Sequence, residues 1–414
     1  MAKKLILNLS TVVNSGGGGN YALQNQRLLM KLGYDSYLIV KDIPNNEFEN
    51  VIKYPDNSLR FIFSKLKRWL YRFVLDKFKF DESYAFYNKF EQINCYSAAT
   101  ILKLLPQKPD VIFLYWVSGF VNAKLMKELE DLTKAKIFIL MIDNAPLTGG
   151  CHYPWECKGY QNNCENCPAI SNRLVKNLAK RNLAFKKQYK LSNASIVSAT
   201  QSDFFRAQHS TLFKSTPSKI LFEIVDEDRF KQSESKPSMK KYFNIEKDKK
   251  VLFFGATFLN EKRKGMSEFL RAIKLIKSDN VVLLIAGDAN IGQISIEHIR
   301  VGYLSESELI KAYQAADLFV CPSLEDSGPL MINQSIMCGT PVVAFDMGSA
   351  MDLVITGETG YRATLGDVVD LAKGIDFVLS LDEDESKKMA IKCRELSMNL
   401  YSTVAFEKWI AKMI

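Results

Sequence analysis

Residues 321–345 combine the residue types of a binding site for a nucleotide diphosphate. An apolar run ends at Cys321, and an acidic loop with Glu325 and Asp326 precedes a helical stretch and a valine-rich run. Carboxylates accept hydrogen bonds from sugar hydroxyls, and the N–H groups at a helix start bind a diphosphate because the helix dipole is positive there. The residues predicted to present these N–H groups are Ser327, Gly328, Leu330 and Met331. The same pattern also fits an ordinary strand, loop and helix of a parallel sheet.

Three consecutive cations stand before a second predicted helix. Lys262, Arg263 and Lys264 follow the apolar run at residues 251–256 and directly precede Gly265. A fixed cation here would neutralise the charge that develops on a leaving diphosphate, which stabilises the transition state. A solvated basic loop is the alternative.

Alternating apolar strands and helical stretches must position these groups. The strands predicted in the first half are residues 4–9, 36–40, 111–115, 136–142 and 195–199. Those predicted in the second half are residues 251–254, 281–286, 299–301, 318–321 and 342–345. This alternation indicates two Rossmann-like parallel sheets covered by helices, and the polar stretch at residues 230–250 is typical of a linker. We therefore expect a first domain at residues 1–228, a second domain at residues 245–385 and C-terminal helices at residues 386–414.

The order of these motifs resembles the C-terminal half of the GT-B glycosyltransferases, specifically the large retaining family numbered four. The resemblance spans residues 249–362 and rests on Lys264-Gly265, residues 315–323, the acidic loop and residues 357–361. It implies an α/β protein of the GT-B class, in which two doubly wound parallel-sheet domains face a central cleft and the C-terminal helices cross back to the first domain. It also implies sugar transfer with retention of configuration and without a catalytic metal.

The resemblance assigns roles to individual residues. Asp326 would hold the sugar, with Glu325 beside it as a possible substitute, while Lys264 and Arg263 would hold the phosphates. Tyr303 would stack on the nucleotide base, although a surface tyrosine is an equally good interpretation. Within the four-glycine stretch at residues 16–19, Gly17 and Gly18 would lie close to the donor phosphate or to the acceptor. A flexible turn is the alternative there, because glycine permits close approach but does not require it.

Two positions depart from the family pattern. Gln334 stands where a glutamate is usual for binding the ribose hydroxyls, so the charge-assisted contact is lost. At the end of the fourth strand, Ile142 stands where a histidine is usual, which leaves Asp143 as the candidate catalytic residue of the first domain. The aromatic loop at residues 116–120 is expected at the carboxyl edge of the same sheet, with packing or acceptor binding as its role.

A cysteine-rich loop at residues 148–168 has partial metal-binding character. Its four cysteines are Cys151, Cys157, Cys164 and Cys167. The Cys-x2-Cys pair has chelating spacing, and His152 is a further candidate ligand, so a structural zinc site is one hypothesis. Reduced thiols that line the loop and a redox pair are the alternatives. The loop also resembles that of a polysaccharide-building branch of the family.

Composition limits the classes of protein. The chain has 414 residues, 47% of them hydrophobic, and a net charge of +9, which suits two globular domains and an anionic partner. The N-terminus lacks a signal-peptide pattern and no apolar run reaches membrane-spanning length, so a cytoplasmic location is expected. Residues 59–80 carry seven basic residues, one acid, Trp69 and five phenylalanines, which predicts a helix at an anionic membrane surface or, alternatively, one packed on its own sheet. No nucleic-acid recognition motif accompanies them, so nucleic acid is not an expected partner.

The leading hypothesis is a membrane-peripheral glycosyltransferase that transfers a hexose from a nucleotide-diphosphate sugar to a saccharide or lipid-linked saccharide in surface polysaccharide biosynthesis. The alternative is a catalytically impaired protein of the same fold, in which Gln334 and Ile142 mark lost activity and nucleotide-sugar or glycan binding remains. A sugar-nucleotide epimerase of similar architecture is a third possibility.

Overall fold

The computed structural model describes residues 3–13, 16–43, 48–55, 59–256, 261–287 and 294–414. The chain divides into two compact units. Unit 1 comprises residues 1–199 and 203–220 together with Ile414, and unit 2 comprises residues 200–202 and 221–413.

Unit 1 is built on a parallel sheet of seven strands in the order β3-β2-β1-β4-β5-β6-β7. The strands are β1 (Leu5–Val12), β2 (Asp35–Asp42), β3 (Val51–Lys53), β4 (Val111–Leu114), β5 (Lys136–Met141), β6 (Ala194–Ser198) and β7 (Ser218–Ile220). The helices are α1 (Gly16–Lys31), α2 (Leu59–Leu75), α3 (Ala98–Lys103), α4 (Ala123–Thr133), α5 (Leu178–Gln188) and α6 (Gln201–His209). The central strands are buried along almost their whole length, as expected for a parallel sheet with helices on both faces.

Unit 2 is built on a parallel sheet of six strands in the order β10-β9-β8-β11-β12-β13. The strands are β8 (Lys250–Gly255), β9 (Val281–Ala286), β10 (Glu297–Gly302), β11 (Leu318–Cys321), β12 (Val342–Phe345) and β13 (Gly360–Ala363). The helices are α7 (Lys236–Tyr242), α8 (Met266–Ile273), α9 (Glu306–Ala315), α10 (Leu330–Met337), α11 (Ala350–Leu353), α12 (Val368–Leu379), α13 (Glu383–Tyr401) and α14 (Thr403–Met413).

The predicted fold class of two Rossmann-like parallel sheets is confirmed. All ten predicted strands are present, and the three strands that the prediction missed are β3, β7 and β13. Each of these is only three or four residues long, and β3 and β7 are not buried at any position. Edge strands of this kind carry little of the apolar pattern by which buried strands are recognised. The predicted crossing of residues 386–414 to the first domain stays a prediction.

Each sheet has one point at which the strand order reverses. In unit 1 the chain moves outward from β1 to β2 and β3 and then returns to the other side of β1 as β4. In unit 2 it makes the same move from β8 through β10 to β11. Ligands of open parallel sheets bind beyond the carboxyl ends of the strands at such a reversal. We therefore expect functional groups in the loops after β1 and β4 and in those after β8 and β11.

Candidate functional site

A cluster of charged side chains lies beyond β8 and β11 in unit 2. The Oδ2 atom of Asp326 accepts hydrogen bonds from Nζ of Lys264 at 2.6 Å and from NH1 of Arg263 at 2.7 Å. The NH2 group of Arg263 also contacts Glu261 at 2.7 Å. All three members of the central cluster, Asp326, Lys264 and Arg263, are largely buried. The structure therefore brings together the acid and the two cations that the sequence selected, whereas Lys262 is exposed.

Backbone contacts fix the two loops that carry this cluster. Gly265 has a φ angle of +66°, and a Cβ atom built there would lie 1.7 Å from the carbonyl oxygen of Pro322. The N–H of Leu324 donates to the carbonyl of Arg263 at 2.7 Å. Only glycine at residue 265 allows residues 263–265 to lie against residues 322–324 in this way. In the Lys-Gly pair, Gly265 thus permits the close packing and Lys264 supplies the charge.

The ionisation of Asp326 follows from its surroundings. Burial by itself raises the pKa of this carboxyl, but the charges of Lys264 and Arg263 and a hydrogen bond from the N–H of Gly328 lower it more, so that the net pKa lies below its ordinary value. Asp326 is therefore ionised at neutral pH and neutralises part of the positive charge of its two partners.

The helix predicted after the acidic loop begins at Leu330, with Pro329 as its N-cap residue. Pro329 thus lies one position before the first turn of the helix. The side chain of Pro329 makes no capping hydrogen bond, and Leu330 and Met331 have no carbonyl of their own helix four residues earlier. Glu325 and Ser327 are buried beside Asp326. The structure therefore gathers the acidic loop, the two cations and an uncapped helix start within unit 2.

Gln334 and Tyr303, which were both predicted to contact the nucleotide, differ in their surroundings. The hydroxyl of Tyr313 donates to Oε1 of Gln334 at 3.2 Å, so the amide oxygen already has a protein partner and the amide N–H groups are the part of Gln334 suited to a ligand. Tyr303 follows β10 and is 77% exposed, as a stacking ring or a surface tyrosine would be.

Sequence reasoning missed Glu223 in unit 2. Its Oε1 atom is buried and makes no hydrogen bond among the described residues, and its backbone carbonyl accepts a hydrogen bond from the Asn333 side chain of α10 at 2.9 Å. Burial, and then the charge of Asp326, raise the pKa of Glu223 to about 8. The sequence signal that could have identified Glu223 is its position between apolar residues, in the sequence Leu-Phe-Glu-Ile-Val.

In unit 1 the glycine stretch is part of a helix. Helix α1 begins at Gly16, so Gly17 and Gly18 lie in its first turn and not in a loop before it. A Cβ atom on Gly18 would lie 2.9 Å from Cβ of Trp116 and 3.2 Å from Cγ2 of Ile142. Glycine at residue 18 therefore lets the start of α1 lie against the loops that follow β4 and β5.

Asp143 follows β5 and pairs with a histidine from the cysteine-rich loop. Its Oδ2 atom lies 2.6 Å from Nδ1 of His152, and its Oδ1 atom accepts the N–H of Ala145 at 2.7 Å. On the other side of the imidazole ring, Nε2 of His152 lies 3.3 Å from Oγ of Ser118. This chain lacks the histidine that the family pattern has at residue 142, but His152, ten residues later in the chain, lies beside Asp143.

A cavity of about 300 Å³ in unit 1 adjoins these residues. Asp143 and Ser118 line it together with the aromatic side chains of Tyr87, Phe90 and Trp116. The buried amino group of Lys186, another lining residue, is held by backbone carbonyls at 2.7 and 3.0 Å. The Ser118 hydroxyl is therefore better placed to contact a ligand than this lysine or the Asp143 carboxylate, which is held by His152 and Ala145. Further cations of the lining are Arg68, Lys187, Lys190 and Lys214.

The structural zinc hypothesis is not supported. Among the residues that the structure describes, which include the whole of the cysteine-rich loop, no group of three or more His, Cys, Asp or Glu side chains could hold a metal ion. His152 is bonded to Asp143 and does not complete a cysteine cluster. The cysteines Cys151, Cys157, Cys164 and Cys167 are free, and burial raises the pKa of Cys151, Cys164 and Cys167 above the ordinary thiol value. The loop therefore contains protonated thiols.

Comparison with known proteins gives a family match within unit 2. Residues 235–395 match the family model described as Glycosyl transferases group 1. A phosphatidyl-myo-inositol mannosyltransferase of Mycobacterium leprae is 30% identical over 167 residues, which cover 38% of this chain and 44% of that protein. The chain therefore spans less than half the length of this curated relative.

Two solved structures show the same fold along the whole chain. Sucrose-phosphate synthase from Thermosynechococcus elongatus has a TM-score of 0.69 at 16% identity, and the match covers 99% of this chain and 98% of that one. Anabaena HepE in complex with UDP and glucose has a TM-score of 0.66 at 14% identity with the same coverage. The chain thus has the GT-B fold, and its residues 235–395 match a glycosyl transferases group 1 domain, which confirms the predicted resemblance at this level. Retention of configuration and the polysaccharide-building branch stay predictions.

Proposed function

We propose that the protein is a glycosyltransferase that transfers a hexose from a nucleotide-diphosphate sugar to a saccharide or lipid-linked saccharide, with retention of configuration. The observation that carries the proposal is the cluster of Lys264, Arg263 and Asp326 beside the uncapped start of α10. Two cations and a helix start suit a diphosphate, and the adjoining carboxylate suits the hydroxyl groups of its sugar.

In this proposal the diphosphate competes with Asp326 for the two cations. As Lys264 and Arg263 turn to the phosphate oxygens, Asp326 becomes available to accept hydrogen bonds from the sugar. The bond between the anomeric carbon and the phosphate oxygen then breaks, and the acceptor oxygen bonds to the same face of the anomeric carbon. The proton of the acceptor hydroxyl passes to the departing phosphate oxygen. The cations stabilise the charge on that leaving group.

Relatives support the choice of donor and acceptor. HepE was crystallised with UDP and glucose, and the name of the mycobacterial relative joins a phosphatidyl-inositol to the transfer of mannose. A uridine or guanosine diphosphate hexose is therefore the proposed donor. A role in surface polysaccharide biosynthesis follows if the acceptor is a lipid-linked saccharide.

The donor proposal is tested by calorimetric titration of UDP, GDP, UDP-glucose and GDP-mannose into the protein. We expect Lys264→Ala to weaken binding of the preferred diphosphate about tenfold or more, because a charge-assisted contact is lost. Lys262→Ala is the matched control, since this neighbouring lysine is exposed. Absence of binding by the unmodified protein, or equal effects of the two variants, would contradict the proposal. Tight binding without sugar transfer to any acceptor would favour the impaired binding protein instead.

We also propose that unit 1 associates with a membrane surface through α2. Within the described residues, no helix is long and apolar enough to cross a membrane. Helix α2 nevertheless exposes a continuous set of large apolar side chains, and Trp69, for example, is 59% exposed. The exposed apolar residues of α2 include Ile62, Phe63, Leu66, Trp69, Leu70, Phe73 and Val74.

The spacing of these residues places them on one side of α2. Phe61, Arg68 and Leu75 recur every seven residues and face unit 1. Phe61 and Leu75 are buried, and the Arg68 guanidinium donates to the carbonyl of Gly119 at 3.0 Å. The exposed apolar set occupies the opposite side, with Lys65, Lys67 and Arg72 exposed around it. A helix with an outward apolar stripe and a basic border suits the interface of an anionic bilayer.

Vesicle flotation tests this association. We expect the protein to float with phosphatidylglycerol vesicles and much less with phosphatidylcholine vesicles. Replacing Phe63, Trp69 and Phe73 together by serine should abolish flotation. Leu174→Ser is the control, because Leu174 is 83% exposed but lies outside α2. Flotation that survives the triple replacement would contradict the proposal.

A further inference from the structure

The hydrogen-bond chain from Asp143 through His152 to Ser118 has a defined direction. Nδ1 of His152 lies 2.6 Å from the Asp143 carboxylate, which accepts but does not donate. We assign the neutral ring with its proton on Nδ1, which leaves Nε2 as an acceptor. The indole N–H of Trp116 reaches the same Nδ1 only at 3.5 Å, which is too long to compete with the carboxylate.

The direction of this chain determines what Ser118 can bind. Since Nε2 of His152 accepts, the Ser118 hydroxyl at 3.3 Å donates its proton to the ring. The lone pairs of the Ser118 oxygen then remain for a hydrogen-bond donor from a ligand. A hydroxyl group supplies such a donor. The donor pattern at Ser118 therefore favours a hydroxylated ligand group.

The cavity beside Ser118 has the size and lining that a sugar ring requires. It measures about 300 Å³ and is lined by Ser118, Asp143, Tyr87 and Trp116. The Tyr87 side chain is 61% exposed, and its ring centre lies 5.0 Å from that of His152. An exposed aromatic ring beside a buried polar chain offers an apolar face for sugar C–H groups and an acceptor for a sugar hydroxyl.

We propose that Ser118, held by His152 and Asp143, binds a hydroxyl group of a saccharide in the cavity of unit 1. Ser118 is the residue in contact with the ligand, and His152 and Asp143 are positioning residues that fix the direction of its hydrogen bond. That this saccharide is the acceptor of sugar transfer rests on the proposed function, whereas the binding itself does not.

The histidines of the chain provide a direct test. The chain has three, and His209 and His298 are exposed, are bonded to backbone carbonyls and do not line the cavity. Their imidazole ¹⁵N signals are recorded by NMR on the full-length protein, with the His152 signal assigned from a His152→Gln variant. The probes are methyl glycosides of glucose, mannose, galactose and N-acetylglucosamine at up to tens of millimolar, with inorganic phosphate as the charged comparison.

We expect at least one glycoside to move the His152 signal in a saturable way while the other two histidine signals stay in place. Ser118→Ala should weaken that binding about tenfold, because one hydrogen bond to the ligand is lost. The Ser118 backbone carbonyl, which accepts from the Thr11 hydroxyl at 2.9 Å, is retained in this variant. If the alanine variant is unfolded, as judged from the other histidine signals, Ser118→Cys replaces it.

Three results would overturn the proposal: no movement of the His152 signal with any glycoside, equal binding by the Ser118 variant, or the same movement with phosphate. None of them bears on the titration of nucleotides into unit 2. Failure of saccharide binding and failure of the proposed donor site are therefore separate results.

Discussion

Replacing Glu223 by glutamine should stabilise the protein in a way that depends on pH. Burial and the charge of Asp326 raise the pKa of Glu223 from 4.5 to about 8. A carboxyl with a raised pKa holds its proton in the folded state at pH values where the unfolded state has released it. The free energy of unfolding therefore falls as pH rises from about 4.5 to about 8. Glutamine has nearly the same shape and does not ionise, so the variant should lack this loss.

The size of the effect follows from the pKa values. A difference of one pH unit between the folded and unfolded pKa values corresponds to about 1.4 kcal/mol. Ionisation of Glu223 therefore lowers the free energy of unfolding by up to about 5 kcal/mol above pH 8. At pH 5.5 only about 1 kcal/mol of this cost is present. The gain in stability from Glu223→Gln should thus grow by about 3 kcal/mol between pH 5.5 and pH 8.5. For a unit of this size we expect the gain in melting temperature to grow by roughly 10 °C.

The assay is thermal unfolding of both proteins at the two pH values, followed by a probe that reports on unit 2. Glu407→Gln is the control, because Glu407 is an exposed glutamate of α14 in the same unit. Its effect on melting temperature should be small and equal at both pH values. If the gain in melting temperature from Glu223→Gln does not change with pH, the reasoning is refuted. It would mean that Glu223 is solvated or is ionised at neutral pH.

Two further predictions concern the backbone of unit 2 and the thiols of unit 1. Gly265→Ala should destabilise unit 2 by about 2 kcal/mol or more in thermal unfolding, because the new Cβ meets the Pro322 carbonyl. Gly366→Ala, at a φ angle of +77° with open space around it, should show only the smaller cost of the left-handed backbone, and equal losses would contradict the role of the contact. Removal of metal with EDTA should leave the melting temperature unchanged, whereas a clear decrease would revive the zinc hypothesis for residues 148–168.

The sequence predicted what depends on buried apolar runs and on short motifs within one segment. Strands such as β4, β9, β11 and β12 were recognisable, since a buried parallel strand is a nearly continuous run of apolar residues. The contact of Lys264 and Arg263 with Asp326 was also predictable, because β8 and β11 are neighbours and the loops after them meet at the same sheet edge.

Pairings across long loops were not predictable in this way. His152 belongs to a loop whose cysteine spacing directed attention to a metal, and nothing in the local pattern shows that its ring reaches Asp143. Glu223 carried a signal, but a glutamate among apolar neighbours becomes informative only when its distance from Asp326 is known. The helical conformation of the glycine stretch was not predictable for a similar reason, because the packing of Gly18 against Trp116 and Ile142 outweighs the low helix propensity of glycine.

The ion pairs of Asp326 have a consequence for selectivity among anions. An unoccupied cluster in which one carboxylate already engages both cations offers little excess positive charge to chloride or inorganic phosphate. An anion that enters must replace two close contacts and also leave Asp326 with new hydrogen-bond donors. A molecule that carries a diphosphate and a polyhydroxyl group together meets both demands, so we expect the cluster to bind it in preference to simple ions.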